Sequence, residues 1–279
     1  MKRILVPIDF SENSVFALKV GLELANQLQA ALRLIHVQTG QKYAPEFSGD
    51  NPEVRLLGQS KEWLNHLLKT YSSDYRVYNG EFDYKIREGN VVREISNQAR
   101  YDDVTLIVIG THGISGVEDR WLGSNAYRLV SHAPCPVLTV RKEMKWTYPH
   151  KVLLPMDHNR LTRQIVPAVV GFTKLLKAQV SIVALQKKSK WLLPGRSEFY
   201  ARQAERYIHH NTDLVVETIP FNWAGQVKNI LELASDTSTT VIAIHLNKTI
   251  NPLKSFFRPF ANELLNVADI PVLVVPVKE

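Results

Sequence analysis

Residues 104–125 read VTLIVIGTHGISGVEDRWLGSN, and their interpretation decides the fold. The apolar run Val104 to Ile109 predicts a buried strand. Gly110-Thr-His-Gly113 follows, then Gly123-Ser124, and a helical pattern begins near Asn125. A buried parallel strand, a glycine-rich loop and a helix N-terminus together make a phosphate cradle. Glycine lets the backbone approach an anion, and unpaired N–H groups at the helix start point at it. The spacing G-x2-G-x9-G-S is neither the P-loop nor the G-x-G-x-x-G dinucleotide pattern. Glycine pairs alone usually mark turns; four matched positions behind a buried strand are more specific.

Outward from this stretch, the chain repeats itself. Lys151-Val-Leu-Leu-Pro-Met-Asp157 restates Arg3-Ile-Leu-Val-Pro-Ile-Asp9 at an offset of 148, and Gln186 lies the same distance from Gln38. Near the other end, Pro271-Val-Leu-Val-Val275 restates Pro136-Val-Leu-Thr-Val140 at an offset of 135. The second copy is therefore 148 − 135 = 13 residues shorter, with the loss in its middle. A period this long means tandem domains rather than a solenoid. The length of 279 residues and 45% apolar composition suit two cores. The expected domains are 1–143 and 149–279, joined by the charged and aromatic linker Arg141 to Pro149.

Each half alternates strand and helix. The expected order in the first is a strand over Ile4 to Ile8, a helix capped by Ser11 and running to about Leu28, and a strand over Leu32 to Val37. A helix within Asn51 to Tyr71, a short strand over Asp83 to Arg87 and a helix over Val91 to Ala99 follow. The Val104 strand, the glycine loop, a helix near Asn125 to Val130 and a last strand from Val137 complete it. Such alternation implies α/β architecture, a parallel sheet with helices on both faces.

The G-x2-G-x9-G-S loop resembles the ATP-binding signature of the universal stress protein family. The opening MKRILVPIDFSENS, with Asp9, and the closing Ala133-Pro-Cys-Pro-Val-Leu-Thr-Val140 resemble that family's first and last strands. Because the pattern occurs twice, the resemblance covers essentially the whole chain. It implies two Rossmann-like domains of the adenine nucleotide alpha hydrolase kind, each a five-stranded parallel sheet of order 3-2-1-4-5. In that order the ligand crevice lies between the first and fourth strands, so Asp9 and Gly110 converge in space. The resemblance implies that Asp9 meets the adenine, where a carboxylate accepts from an exocyclic amine; a turn or cap residue is the structural alternative. It implies that the backbone of Val37 meets the base edge. Gly110 and Gly113 would flank ribose and phosphate, Gly123 and Ser124 would present donors to the phosphates, and Asn125 would donate next. His112 lies beside the phosphates in this reading and is not assigned a catalytic role. ATP or AMP is the implied ligand, with Mg2+ as its companion ion. Glu118 and Asp119 are the acids that could approach such an ion, but they read as solvated loop charges and no metal site is assigned.

The second half departs from the motif. At offset 135 the four positions become His245, Lys248, Arg258 and Pro259. Side chains fill the space phosphates need, and Pro259 lacks a donor. Asp157 keeps the acidic strand end. Lys248, Lys254 and Arg258 could hold another anion, but a structural partner whose site has decayed is preferred.

The net charge of +7 invites a nucleic-acid reading, yet no zinc spacing or RNA-recognition motif accompanies it. The basic stretch Lys187 to Arg206 reads as a solvated helix edge rather than a membrane-docking surface. No run of apolar residues is long enough for a membrane helix, no signal-peptide pattern opens the chain, and Cys135 has no disulfide partner; a cytoplasmic protein is expected. The leading function is a stress-response regulator that binds one adenine nucleotide in the first half and signals to a protein partner. Two alternatives remain. One is an ATP-using enzyme of the nucleotidyl transferase or ATP pyrophosphatase group, although PIDFSENS carries neither an H-x-G-H nor an S-G-G-x-D-S motif. The other is an interaction module without ligand. At most slow ATP hydrolysis is expected. Valine-rich closing strands, Val137 to Val140 and Val272 to Val277, lead to the expectation that the halves pack as a pseudo-twofold dimer. A further homodimer is left open.

Overall fold

Arg3–Pro7 forms β1, and its three central residues are fully buried apolar side chains. A computed structural model gives the structure, which describes residues 2–39, 60–77, 80–111, 124–144, 146–186, 195–223, 225–247 and 257–277. The chain divides into two compact units, Met1–Met144 and Lys145–Glu279. No helix among the described residues is long and apolar enough to cross a membrane.

In the first unit β1 leads into α1 (Glu12–Leu28), then β2 (Ala31–Gln38). Helix α2 (Ser60–Tyr71), β3 (Phe82–Glu88), α3 (Val91–Tyr101), β4 (Leu106–Gly110), α4 (Ser124–His132) and β5 (Val137–Val140) follow. All pairings are parallel and give the order β3-β2-β1-β4-β5. Seven of the eight residues of β2 are buried, as a strand covered on both faces requires. Ser11 caps α1 as its sequence suggests, its hydroxyl oxygen accepting from Ser14 N at 3.2 Å. The fourth strand starts later than its apolar run. Thr105 is held by the Arg3 carbonyl, to which both its N–H and its hydroxyl donate.

The second unit comprises β6 (Lys151–Met156), α5 (Leu161–Gln164), α6 (Val166–Leu176), β7 (Gln179–Gln186) and α7 (Arg196–Asn211). It continues with β8 (Val216–Asn222), α8 (Val227–Asp236), β9 (Val241–Asn247), α9 (Phe257–Val267) and β10 (Val272–Val277). Its parallel order is β8-β7-β6-β9-β10. The strand registers carry the repeat. Arg3 opposes Ala31 as Lys151 opposes Gln179, 148 residues on. Gly110 opposes Val140 as His245 opposes Val275, 135 residues on. The shortening lies between the second and third strands of each unit. That connection has 43 residues (39–81) in the first and 29 (187–215) in the second, a loss of 14. One residue is regained before α8, so the buried pair Ile95 and Ala99 aligns with Ile230 and Ala234 at 135.

At the N-terminal ends of the first unit's strands lies a partly buried charge cluster. The Arg33 guanidinium donates to Asp102 Oδ2 and Asp83 Oδ1, each at 2.7 Å, and Arg3 reaches Asp102 Oδ1 at 3.3 Å. Burial pushes the Asp102 carboxyl up, but donation from Gln98 and Arg33 and the charges of Arg33 and Arg3 outweigh it. The group stays below the ordinary carboxylate range. Ser181 occupies the place of Arg33 in the second unit, its hydroxyl donating to Glu217.

Candidate nucleotide crevice

The order reverses between β1 and β4, so their C-terminal ends leave a crevice. Asp9 stands at the end of β1 and is exposed. Its Oδ1 accepts from the Ser11 N–H at 3.0 Å and from the Ser11 hydroxyl at 2.6 Å. The Ser11 oxygen in turn accepts from Ser14 N, which begins the helical ladder of α1. Asp9 is thus tied to the helix N-terminus through one oxygen, while Oδ2 has no protein donor among the described residues.

Between Asp9 and Ser11, Phe10 takes a left-handed φ of +66°. That conformation costs an aromatic residue on the order of 1 kcal/mol or more. Burial offsets it: Phe10 is 3% exposed and lies 4.7 Å from the His36 ring and 6.4 Å from Trp63. His36 is buried and its Nδ1 lies 2.8 Å from the Ile8 carbonyl. Burial lowers the imidazole pKa, more than offsetting the Ile8 carbonyl and the Asp9 charge, which raise it. A neutral ring donating to Ile8 pins the end of β1, so His36 is not a free base. The turn PIDFS carried no sequence signal for this aromatic support beyond an apolar residue at a turn.

Gly110 closes β4 on the other side. A Cβ there would lie 2.6 Å from the Asn13 carbonyl carbon and oxygen and 2.9 Å from Ser14 N. Gly110 has no left-handed φ, so glycine is required by the approach of α1 rather than by a turn. Thr111 follows, buried, its N–H donating to the Val140 carbonyl at 3.1 Å. Asn13 Oδ1 accepts from Lys142 N at 2.9 Å, and Lys142 Nζ meets Glu12 at 2.7 Å. The ends of β1, β4 and β5 are thereby joined through the first turn of α1.

Val37 is buried near the end of β2. The β1–β2 pairing ends at Pro7 opposite Ile35, with Ile8 N donating to Ile35 O. Gln38 O accepts from Gly89 on the β3 side. Successive strand residues alternate sides, so the Val37 N–H and C=O face the space where β1 has ended. Ser124 begins α4 and Asn125 is exposed in its first turn. The structure thus brings Asp9, Val37 and Gly110 to one end of the sheet. His112, Gly113, Glu118, Asp119 and Gly123 lie outside the described residues.

The equivalent end of the second unit differs. Asp157 keeps the turn, its Oδ1 accepting from Asn159 N at 2.8 Å, but it is only 3% exposed. Burial pushes its carboxyl up to about 7 against the Asn159 donor and the Arg196 charge. His245 replaces Gly110, is 3% exposed, and burial lowers its pKa to about 4. The long α1 has no continuous equivalent: α5 stops at Gln164 and α6 starts at Val166, with a proline in its first turn. A side chain at 245 denies the helix the close approach that Gly110 allows. Lys248 and Lys254 lie outside the described residues, and Arg258 and Pro259 fall in the first turn of α9.

Comparison with known proteins gives a consistent result. The model of the universal stress protein family matches residues 1–141. Universal stress protein YxiE of Bacillus subtilis is 32% identical over 149 residues, 50% of this chain and 98% of YxiE. Universal stress protein MJ0531 of Methanocaldococcus jannaschii is 31% identical over 147 residues, 52% of this chain and 84% of that protein. A universal stress protein structure from Archaeoglobus fulgidus superposes with a TM-score of 0.73 at 17% identity, covering 98% of each chain, which is a likeness of fold. The family match over half the chain, together with relatives at this identity, means that the chain belongs to the universal stress protein family.

Proposed function

We propose that the first unit binds one adenine nucleotide, ATP or AMP, and that the protein is a nucleotide-dependent regulator of the stress response rather than an enzyme. The observation that carries this reading is the contrast between the two switch points. In the first, Asp9 is an exposed carboxylate beside a glycine-ended strand. In the second, the matching aspartate is buried and a histidine side chain stands in place of the glycine. Asp9 Oδ2 would accept from the adenine amine, and the inward-facing backbone of Val37 would meet the base edge. Gly113, Gly123, Ser124 and Asn125 would supply phosphate donors by the motif, with His112 alongside. Mg2+ would accompany ATP through its phosphates. A regulatory role is the reading the crevice's described histidine supports: His36 is buried against a backbone carbonyl and serves to position the end of β1. The partner protein that reads the nucleotide state and a cytoplasmic location belong to the same proposal.

Titration calorimetry with ATP tests it. One site per chain is expected. Gly123→Arg, which gives the first unit the residue type the second carries at this motif position, should abolish that site without lowering the melting temperature. Two equal sites, no site, or unchanged affinity in Gly123→Arg would each overturn the assignment.

A further inference from the structure

One corner of the fold differs between the two units. In the first, the C-terminal end of α1 meets the chain leaving α2, and the corner is filled from within. Asn26 Nδ2 donates to the Asp74 carbonyl and Asn26 Oδ1 accepts from Arg76 N, both at 2.7 Å. The Tyr75 hydroxyl donates to the Ala30 carbonyl at 3.0 Å, and its ring packs on Phe82 at 5.4 Å. In the second unit Ala178 takes the place of Ala30 and Lys174 that of Asn26, both at offset 148. The connection from helix to third strand shrinks from ten residues (72–81) to four (212–215). Six of the fourteen lost residues go here, and Tyr75 goes with them. The result is an open groove of about 680 Å³, lined by Lys174, Lys177, His209, His210, Asp213 and Val215 among others.

The lining sets the chemistry. Two lysines face a single aspartate. Among the described residues Lys174 Nζ has a single partner, the Asn211 carbonyl at 3.4 Å, and the exposed Lys177 has no side-chain partner. Val215, 63% exposed, gives the groove an apolar side. The groove lies at the C-terminal ends of α6 and α7, whose carbonyl ends disfavour a bare compact anion. An extended chain suits it better, because peptide N–H groups can meet those carbonyls while carboxylates meet the lysine tips. We propose that this groove docks an acidic segment of a partner protein, carboxylates on Lys174 and Lys177 and an apolar side chain on Val215. The site is at the N-terminal ends of β7 and β8, the opposite end of the strands from Asp157 and His245, and does not depend on the nucleotide reading.

Fluorescence anisotropy with a labelled peptide of alternating glutamate and leucine, titrated with the full chain, tests the proposal. Saturable binding that weakens with added salt is expected. Lys174→Glu with Lys177→Glu should weaken it about tenfold or more, and Val215→Ser should weaken it with both charges kept. Lys174→Gln with Lys177→Gln should weaken it less and serves if charge reversal prevents folding. Lys61→Glu with Lys69→Glu, on exposed α2 positions, should bind as the unaltered chain does. Absence of saturable binding, unchanged affinity in the groove variants, or equal affinity for a peptide of glutamate alone would overturn it. Displacement by inorganic phosphate would also overturn it, in favour of a simple anion site.

Discussion

Gly110 illustrates how one residue serves two requirements. The motif suggests a phosphate loop, and the structure adds a packing demand that is independent of any ligand. The backbone of Asn13 and Ser14 lies where a side chain would go. Gly110→Ala should therefore destabilise the first unit by about 1–3 kcal/mol, the usual cost of overpacking against immobile atoms. Chemical denaturation of the variant checks this; a stability equal to the parent would mean that α1 can retreat at no cost. The contrast with Gly123→Arg is informative, because that change should cost binding and not stability. Phe10 makes a related point. Its left-handed backbone is tolerated because its ring is buried against His36 and Trp63, and together they hold Asp9 at the crevice.

At the scale of elements, α1 and its broken counterpart explain why one crevice differs from the other. Ser11 is the hinge of α1: it caps the helix through Ser14 N and donates twice to Asp9. Ser11→Ala removes the cap and one of those donors, the hydroxyl, while the backbone N–H remains. The expected loss is about 1 kcal/mol of stability, with a lower affinity for ATP because Asp9 is less firmly oriented. Paired melting and calorimetry measure the two effects. A variant that melts lower but binds ATP as before would separate the cap from the site. In the second unit Asn159 stands at the position matching Ser11, its Oδ1 accepting from Leu161 N, but the N-cap of α5 is Arg160, which makes no side-chain cap bond, and the helix breaks before Val166. Neither the side-chain cap nor the continuity of α1 is retained, and His245 and the proline of α6 stand where the first unit has Gly110 and an unbroken helix.

At the scale of the whole molecule, the two units should answer pH differently. In the unfolded chain Asp157 titrates near 3.8 and in the folded chain at about 7. A raised carboxyl pKa favours the folded state only while the group is protonated in both states. Stability from this residue is therefore present at low pH and falls as pH rises from about 4 through 7. His245 acts in the opposite sense. Its folded value of about 4 lies below the ordinary 6.5, so its contribution falls as pH drops through that interval. Asp157→Asn keeps the acceptor for Asn159 N and removes the carboxyl. It should stabilise the second unit at pH 8, by up to roughly 4 kcal/mol from the size of the shift, and have little effect at pH 4. Thermal melts at the two pH values decide the matter; an equal effect at both would show that Asp157 stays ionised in the fold.

Much of this protein is legible in its sequence because local periodicity and internal repetition are local properties. The alternation of strands and helices, the Ser11 cap, the offsets of 148 and 135 and the loss of the glycines from the second copy need no coordinates. The registers of the first strands with the second, and of the fourth with the fifth, agree with those offsets, while the third strands stand 134 apart. What the sequence could not supply depends on atoms brought together from distant positions. Whether an aspartate at a strand end is exposed or buried is decided by what packs over it, so Asp9 and Asp157 look alike in sequence and differ in structure. That Gly110 is needed by Asn13 follows from the close approach of a helix that precedes it by most of the unit. The groove beside Lys174 is likewise a tertiary result: the sequence shows that residues are missing, and only packing shows that the missing Tyr75 leaves its corner open.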